Sequence, residues 1–206
     1  NPLTKEELDK ANLCQFPMLA GGVVVIVNLR GVKPNTLKLD QATLADIFLG
    51  KIKGWDDPRI KALNPGVKLP RVRITVVRRS DSSGTSFIFT NYLSKISKEW
   101  ADRVGCGPAV NWPVGIGGQK NPGVCNNVAR INGAIGYTEY TYAVEAKLSM
   151  VSLKNKAGKF VEPKPETFRA SGAHADWKNA PGFYMLLTDQ PGDDSWPITG
   201  LTYILV

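Results

Sequence analysis

The residues best suited to chemistry lie in the segment Arg-Ser-Asp-Ser-Ser-Gly-Thr, the Arg79–Thr85 loop. It follows a β-branched run that predicts a strand and precedes a stretch with the apolar spacing of a helix. The start of a helix presents free backbone N–H groups and a partial positive charge, which attract anions. Arg79 adds a guanidinium that can bind two oxygens, Ser83 and Thr85 add hydroxyl donors, and Gly84 lets a ligand approach the backbone. The loop predicts a site for a tetrahedral oxyanion. The alternative is that Ser83 and Gly84 only cap the helix while Arg79 is solvated.

Asp81 bears on both interpretations, because a carboxylate beside a bound anion is repulsive unless the anion carries a proton that the carboxylate can accept. Phosphate near neutral pH carries such a proton, and sulfate does not. The pair of Arg79 and Asp81 therefore predicts a filter that admits protonated phosphate. The alternative is a salt bridge of local importance only.

Other chemical constellations receive less support from the sequence. His174 is the only histidine and stands in a polar stretch far from Ser83, which disfavours a catalytic triad. The glycine-rich run at 115–120 lacks the GxxxxGK[ST] pattern of a phosphate loop, so a turn is predicted there. No CxxC pair or histidine cluster accompanies the three cysteines, which disfavours a metal site.

The composition is that of a folded globular protein of one domain or two lobes, with 206 residues, 43% hydrophobic and 21% charged. No apolar run approaches the roughly 18–20 residues needed to cross a bilayer. A formal net charge of +8 favours an anionic partner. Nucleic acid is disfavoured, because the basic residues are scattered and no groove-reading or RNA-stacking motif accompanies them.

The elements that must position the loop alternate between strands and helices, which predicts an α/β fold with a largely parallel sheet. The run Val23–Val27 predicts a strand covered on both faces, after a break at Gly21 and Gly22. Thr4 and Glu7 have the spacing of a capping box at the start of a helix, and Asp40 is predicted to cap a second, short helix over 40–49. The last strand-like segment runs into Val206, which suggests that the sequence is cut from a longer chain.

The Arg79–Thr85 loop, with its flanks, resembles the phosphate-binding proteins of bacterial phosphate-specific ABC transporters. The resemblance implies a periplasmic binding protein type II fold, mainly its second lobe, with a mixed, largely parallel sheet flanked by helices. It implies phosphate binding for import, a periplasmic, secreted or cell-surface location, no catalysis, no cofactor and no metal. Further segments that carry it are Gln15–Pro17, Gly21–Val24, Ile47–Ile52, Leu63–Gly66, Asn111–Gly115 and Gly133–Tyr137.

The resemblance also implies roles for the loop residues. Arg79 would pair with phosphate oxygens, and Ser83 would give its hydroxyl and backbone donors. Gly84 and Thr85 would add donors at the helix start, and Asp81 would be the acidic residue that adjoins the arginine. Ser82 departs from the family pattern, which usually has glycine at this position.

The same resemblance divides the chain. Residues 1–23 would be a first-lobe remnant and hinge approach, 24–200 the second lobe of a phosphate clamp, and 201–206 a truncated return hinge strand. The expected partners are inorganic phosphate, ABC transporter permease subunits, and either the missing first-lobe segments or another chain that covers the hinge face. The alternative function is a structural or assembly protein that reuses this lobe without transporting phosphate.

An oxidising location would favour disulfide formation. Cys106 follows one predicted helix and Cys125 lies in the next, so the sequence predicts a bridge between these two cysteines. Cys14 would then remain unpaired.

Overall fold

A computed structural model describes residues 2–206, and Asn1 lies outside the described residues. Helices and strands alternate, as predicted. The helices are Lys5–Ala11 (α1), Gln41–Phe48 (α2), Pro58–Leu63 (α3), Gly84–Ile96 (α4), Lys98–Arg103 (α5), Lys120–Arg130 (α6), Tyr140–Glu145 (α7) and Pro165–Ala173 (α8), with short 3₁₀ turns at Trp177–Asn179 and Pro181–Phe183. The strands are Gln15–Asn28 (β1), Lys38–Leu39 (β2), Thr75–Arg79 (β3), Ile116–Gly118 (β4), Ala134–Glu139 (β5), Ser149–Met150 (β6), Ser152–Lys154 (β7), Phe160–Val161 (β8) and Thr199–Leu205 (β9).

The main sheet has the strand order β4-β3-β5-β1-β6, with β9 paired to β1. Strands β4, β3 and β5 are parallel. Strand β1 is antiparallel to β5, β6 and β9. The prediction of a mixed α/β sheet flanked by helices is confirmed. Its parallel part is smaller than predicted, because the long β1 runs against every strand that it pairs with. A second, small sheet has the order β2-β7-β8.

Strand β1 has two halves with different surroundings. Its run Val23–Val27 is buried, with at most 3% of each residue exposed, as the continuous apolar pattern predicts. The other half, from Gln15, pairs with β9 and is mostly exposed. The predicted break at Gly21 and Gly22 is wrong, because this ladder to β9 continues through both glycines. At Gly22 a side chain would collide with the Phe168 ring, 2.2 Å from an added Cβ.

Local capping signals confirm two predicted helix starts. Thr4 and Glu7 form both hydrogen bonds of a capping box on α1, and Asp40 caps α2 through the backbone N–H of Thr43. The prediction of a turn at 115–118 is wrong, because Ile116–Gly118 forms the edge strand β4 beside β3. Gly118 permits close packing there, since an added Cβ would lie 2.6 Å from the backbone nitrogen of Val124 on α6.

The core contains three fully buried tryptophans, Trp55, Trp100 and Trp196. Trp55 donates its indole N–H to the Gly133 carbonyl, and Trp196 donates to that of Val23. These bonds satisfy the polar end of each buried ring. Within the described residues, no helix is both long enough and apolar enough to cross a membrane.

Candidate functional site

Arg79 is the last residue of β3 and is buried, with 9% of its surface exposed. Its Nε and Nη2 donate to the two carboxylate oxygens of Asp81 at 2.9 and 2.6 Å, and Nη1 donates to Oδ1 of Asn121 at 2.9 Å. A guanidinium has five N–H groups, and these contacts use three of them. Two N–H groups of a side chain held rigidly in place are therefore left for a ligand.

Asp81 has both carboxylate oxygens occupied. Besides the two bonds from Arg79, Oδ1 accepts the backbone N–H of Lys120, the first residue of α6, at 3.0 Å. The hydrogen bonds from Arg79 hold the pKa of Asp81 well below its ordinary value. An ionised carboxylate whose oxygens point at Arg79 and Lys120 favours the salt-bridge interpretation over the proton-accepting filter.

The start of α4 supplies the donors that the loop sequence predicts, with one difference. Ser83 is the N-cap residue, and its hydroxyl accepts the backbone N–H of Ser86 at 3.4 Å. The Ser83 backbone N–H donates to the Pro108 carbonyl at 2.9 Å. It is therefore not available to a ligand, although the family resemblance implies that it would be. The backbone N–H groups of Gly84 and Thr85 have no acceptor among residues 2–206. An added Cβ at Gly84 would meet no atom within 4 Å, which leaves that stretch of backbone open to a ligand.

A hydrogen-bonded chain that the sequence analysis missed joins Thr85 to Arg79. Thr85 donates its hydroxyl to Oε1 of Glu139 at 2.9 Å, and Asn121 donates its amide to the same oxygen at 3.1 Å. Asn121 in turn accepts from Arg79. Glu139 ends β5, which is parallel to β3, and parallel strands bring their carboxyl ends to one edge of a sheet. That rule could have pointed to Glu139, whereas Asn121 carries no comparable sequence signal.

Tyr137 supports the site from the core. Its hydroxyl accepts the backbone N–H of Arg79 at 3.2 Å and lies 2.6 Å from the Ser86 hydroxyl. Burial raises the pKa of Tyr137, so the phenol stays neutral. Its ring stacks on Phe89, with the centroids 4.3 Å apart. The loop is therefore fixed to both α4 and the sheet.

The loop forms one wall of an open cavity of about 960 Å³. The start of α6 and the end of β5 line it beside the loop, and Gly21 and Gly200 of the paired strands β1 and β9 line another side. All five residues predicted for the site lie on the cavity wall: Arg79, Asp81, Ser83, Gly84 and Thr85.

Groups outside the cavity do not form a second reactive centre in the described part of the chain. Residues 2–206 hold no group of three or more His, Cys, Asp or Glu side chains that could bind a metal ion. His174 contacts Ser195 at 3.0 Å and is not among the residues that line this cavity with Ser83.

The predicted disulfide between Cys106 and Cys125 is wrong, because both are free thiols in this structure. Cys125 is buried on α6 and contacts the Thr138 hydroxyl at 3.7 Å. Cys106 is exposed and contacts the Phe87 carbonyl of α4 at 3.7 Å. The two thiols thus face different elements, which sequence spacing could not reveal.

The mixed sheet with helices on its faces and a cavity at the carboxyl ends of parallel strands defines the periplasmic binding protein type II class of fold. The chain belongs to the PBP superfamily domain family, whose model matches residues 1–206.

Two similar proteins carry the name phosphate-binding protein PstS. That of Xylella fastidiosa (strain Temecula1) is 49% identical over 205 residues, covering 100% of this chain and 56% of the relative. That of Pasteurella multocida is 50% identical over 206 residues, covering 100% of this chain and 60% of the relative. The chain therefore spans little more than half the length of these relatives.

Solved structures with the same fold are more distant in sequence. A phosphate-binding protein from Stenotrophomonas maltophilia matches with a TM-score of 0.63 at 19% identity, covering 100% of this chain and 62% of that structure. The ancestral soluble variant of the human phosphate-binding protein matches with a TM-score of 0.71 at 20% identity, covering 100% and 64%.

Proposed function

We propose that this chain binds inorganic phosphate as one lobe of a two-lobed clamp and delivers it to an ABC transporter for import. The observation that carries the proposal is Arg79, a buried guanidinium with two free N–H groups beside the open N-terminus of α4. Burial strengthens its hydrogen bonds to an oxyanion, because the local dielectric is low. The names of the relatives from Xylella fastidiosa and Pasteurella multocida support phosphate as the anion.

Each site residue has a proposed role. Arg79 gives its two remaining N–H groups to phosphate oxygens, and the free backbone N–H groups of Gly84 and Thr85 bind a further oxygen. Ser83 can donate its hydroxyl hydrogen, because that hydroxyl only accepts in its contact with Ser86. Asp81 orients Arg79 by accepting hydrogen bonds from its Nε and Nη2.

The arrangement is suited to binding rather than catalysis. Ser83 has no basic side chain among its hydrogen-bond partners that could activate its hydroxyl. Phosphate would be held and released unchanged, with no cofactor or metal required.

The division into lobes is part of the proposal. Residues 24–200 would form the second lobe, 1–23 the approach to the hinge, and 201–206 the return strand. Support comes from the β1–β9 pair, which is mostly exposed on the β1 side and lines the same cavity as the loop. The length of the relatives beyond this chain would supply the first lobe and cover this strand pair.

The location and partners follow from the same proposal. Binding proteins that serve ABC importers work outside the cytoplasmic membrane, so we infer a periplasmic or cell-surface location. The transporter's permease subunits would be the receiving partner.

Phosphate titration followed by backbone amide NMR tests the proposed site. In the wild-type chain we expect the Gly84 and Thr85 amides to shift. Arg79→Ala should weaken binding at least about tenfold, since charge-assisted hydrogen bonds contribute about 1.5–3 kcal/mol. Arg79→Lys keeps the charge but loses the two-point contact, so an intermediate loss is expected.

Arg71→Ala is the matched control, because the Arg71 side chain is 91% exposed and is not among the cavity-lining residues. Its titration should match the wild type. An unchanged affinity in a folded Arg79→Ala variant would contradict the site assignment.

A further inference from the structure

We propose that the outer face of the small sheet β2-β7-β8 is a docking surface for anionic phospholipid bilayers. This surface, here called the basic face, consists of Lys38, Lys154, Lys156, Lys159 and Phe160. None of these residues lines the cavity that contains the proposed phosphate site. The inference therefore goes beyond the proposed function and concerns a separate surface of the molecule.

The strand register of the small sheet separates an apolar row of side chains from a basic one. The apolar row belongs to the core, is at most 5% exposed, and consists of Leu39, Leu153 and Val161, which are paired across the three strands. Successive side chains of a strand point to opposite faces of the sheet. Lys38, Lys154 and Phe160 each adjoin a member of the buried row, so they lie on the outer face.

Phe160 is the apolar centre of the basic face. Its side chain is exposed, and Lys154 lies directly opposite it in the strand ladder. The ammonium groups of Lys38 and Lys154 lie 5.4 and 5.9 Å from the centroid of its ring, within the range of cation–π contacts. Two cations and one aromatic ring are thus held together on one exposed surface.

The turn between β7 and β8 adds two exposed lysines, Lys156 and Lys159. Asn155 fixes this turn, because its amide donates to three backbone carbonyls of the 192–195 loop at 3.0–3.2 Å. The amide oxygen of Asn155 accepts the backbone N–H of Lys159 at 3.0 Å. The two lysines therefore extend from a turn that is anchored to the rest of the fold.

The positive charge of the basic face is not neutralised by residues 2–206. None of its four lysine ammonium groups forms an ion pair with a described carboxylate. Glu162, two residues after Phe160, is exposed and makes no ion pair either, and Asp40 is engaged in capping α2. A cluster of like charges without counter-charges favours an anionic partner.

An anionic bilayer matches both the charge and the ring of the basic face. Its headgroups form a diffuse layer of negative charge, which suits the flexible, strongly hydrated ammonium groups of lysine. Its apolar interior begins just below the headgroups, where the ring of Phe160 can be buried. An acidic polypeptide would supply the charge but no apolar layer for the ring.

Co-sedimentation of the chain with vesicles tests the inference. Vesicles of phosphatidylglycerol and phosphatidylcholine in equal parts are compared with vesicles of phosphatidylcholine alone. We expect binding to the anionic vesicles only, and weaker binding as the salt concentration rises, since salt screens exposed charges. Combining Lys38→Gln with Lys154→Gln should lower the binding constant at least about tenfold, because each lysine near an anionic surface contributes about fivefold.

The matched control combines Arg71→Gln with Lys98→Gln. It removes the same charge from side chains that are 91% and 87% exposed and lie outside the basic face. This control should bind the anionic vesicles nearly as well as the wild type. Phe160→Ser keeps all four lysines and should still weaken binding. Circular dichroism checks that each variant is folded.

Several outcomes would overturn the inference. Equal losses in the two double variants would mean that binding follows net charge alone. Equal binding to both kinds of vesicle, or to neither, would mean that the basic face does not recognise anionic bilayers. Wild-type binding by Phe160→Ser, with equal displacement from vesicles by polyglutamate, would assign the face to an acidic polypeptide. The proposed phosphate site is tested separately, because the Gly84 and Thr85 amides report on it without vesicles.

Discussion

Arg79 is the only buried cation among residues 2–206, and its surroundings explain why it can stay charged there. Asp81 and Asn121 together take three of its N–H groups. A buried charge without such partners would be strongly destabilising. Sequence alone identified Arg79 and Asp81 as a pair, since they stand two positions apart in one loop. Asn121 and Glu139 required the tertiary structure, because they reach the site from other elements.

Asp81→Asn should destabilise the fold at neutral pH by about 1.5–3 kcal/mol, toward the lower end because the Asp81 side chain is 30% exposed. The folded pKa of Asp81 lies below its unfolded value, near 3.9. Its stabilisation is therefore fully present above that value and is lost as the pH falls below it. Urea denaturation from pH 7 to pH 3 should show the difference from wild type shrink below about pH 4.

Asp102→Asn is the matched control for this prediction. Asp102 forms an exposed i,i+4 pair with Lys98, so its loss should cost at most about 0.5 kcal/mol.

The filter interpretation of Asp81 predicts a gain in sulfate binding for Asp81→Asn. The observed geometry predicts weaker binding of both anions, because Arg79 loses its orientation. A selective gain for sulfate would contradict our account of Asp81.

At the scale of elements, α4 links stability to binding, because Ser83 both caps the helix and lines the cavity. Ser83→Ala should lower the free energy of unfolding by about 1 kcal/mol and weaken phosphate binding. Ser97→Ala removes the corresponding cap from α5, away from the cavity lining. It should cost similar stability without changing phosphate binding. Chemical denaturation and NMR titration of both variants check this, and equal binding losses would contradict a direct role for Ser83.

The elements that sequence predicted well are those with strong local signals. The apolar run of β1 and the capping residues Thr4 and Asp40 specify their structure within a few residues. Strand β4 was missed because Ile116-Gly117-Gly118 has little intrinsic strand preference, and its pairing with β3 supplies the missing stabilisation. The parallel share of the sheet was overestimated because strand direction depends on long-range pairing, which alternation of elements does not determine.

At the scale of the whole molecule, one group of exposed apolar side chains lies on the β1–β9 strand pair. Met18 and Leu19 are 62% and 64% exposed, and Leu205 is 48% exposed. A concentration of exposed apolar side chains marks a surface suited to burial against another structure. Its position beside the cavity fits the proposal that a first lobe covers this face and completes the clamp.

The central claim, that this chain provides one half of a phosphate clamp, is tested most directly by comparing phosphate affinity with and without the other half. The chain alone is titrated beside a chimera extended by the remaining length of the Pasteurella multocida relative. The account predicts site-specific shifts of Gly84 and Thr85 in both, with affinity at least about a thousandfold higher in the chimera. Three or four additional charge-assisted hydrogen bonds of roughly 1.5 kcal/mol contribute about 5 kcal/mol. Micromolar binding by the chain alone, or no shift of these amides in either protein, would contradict it.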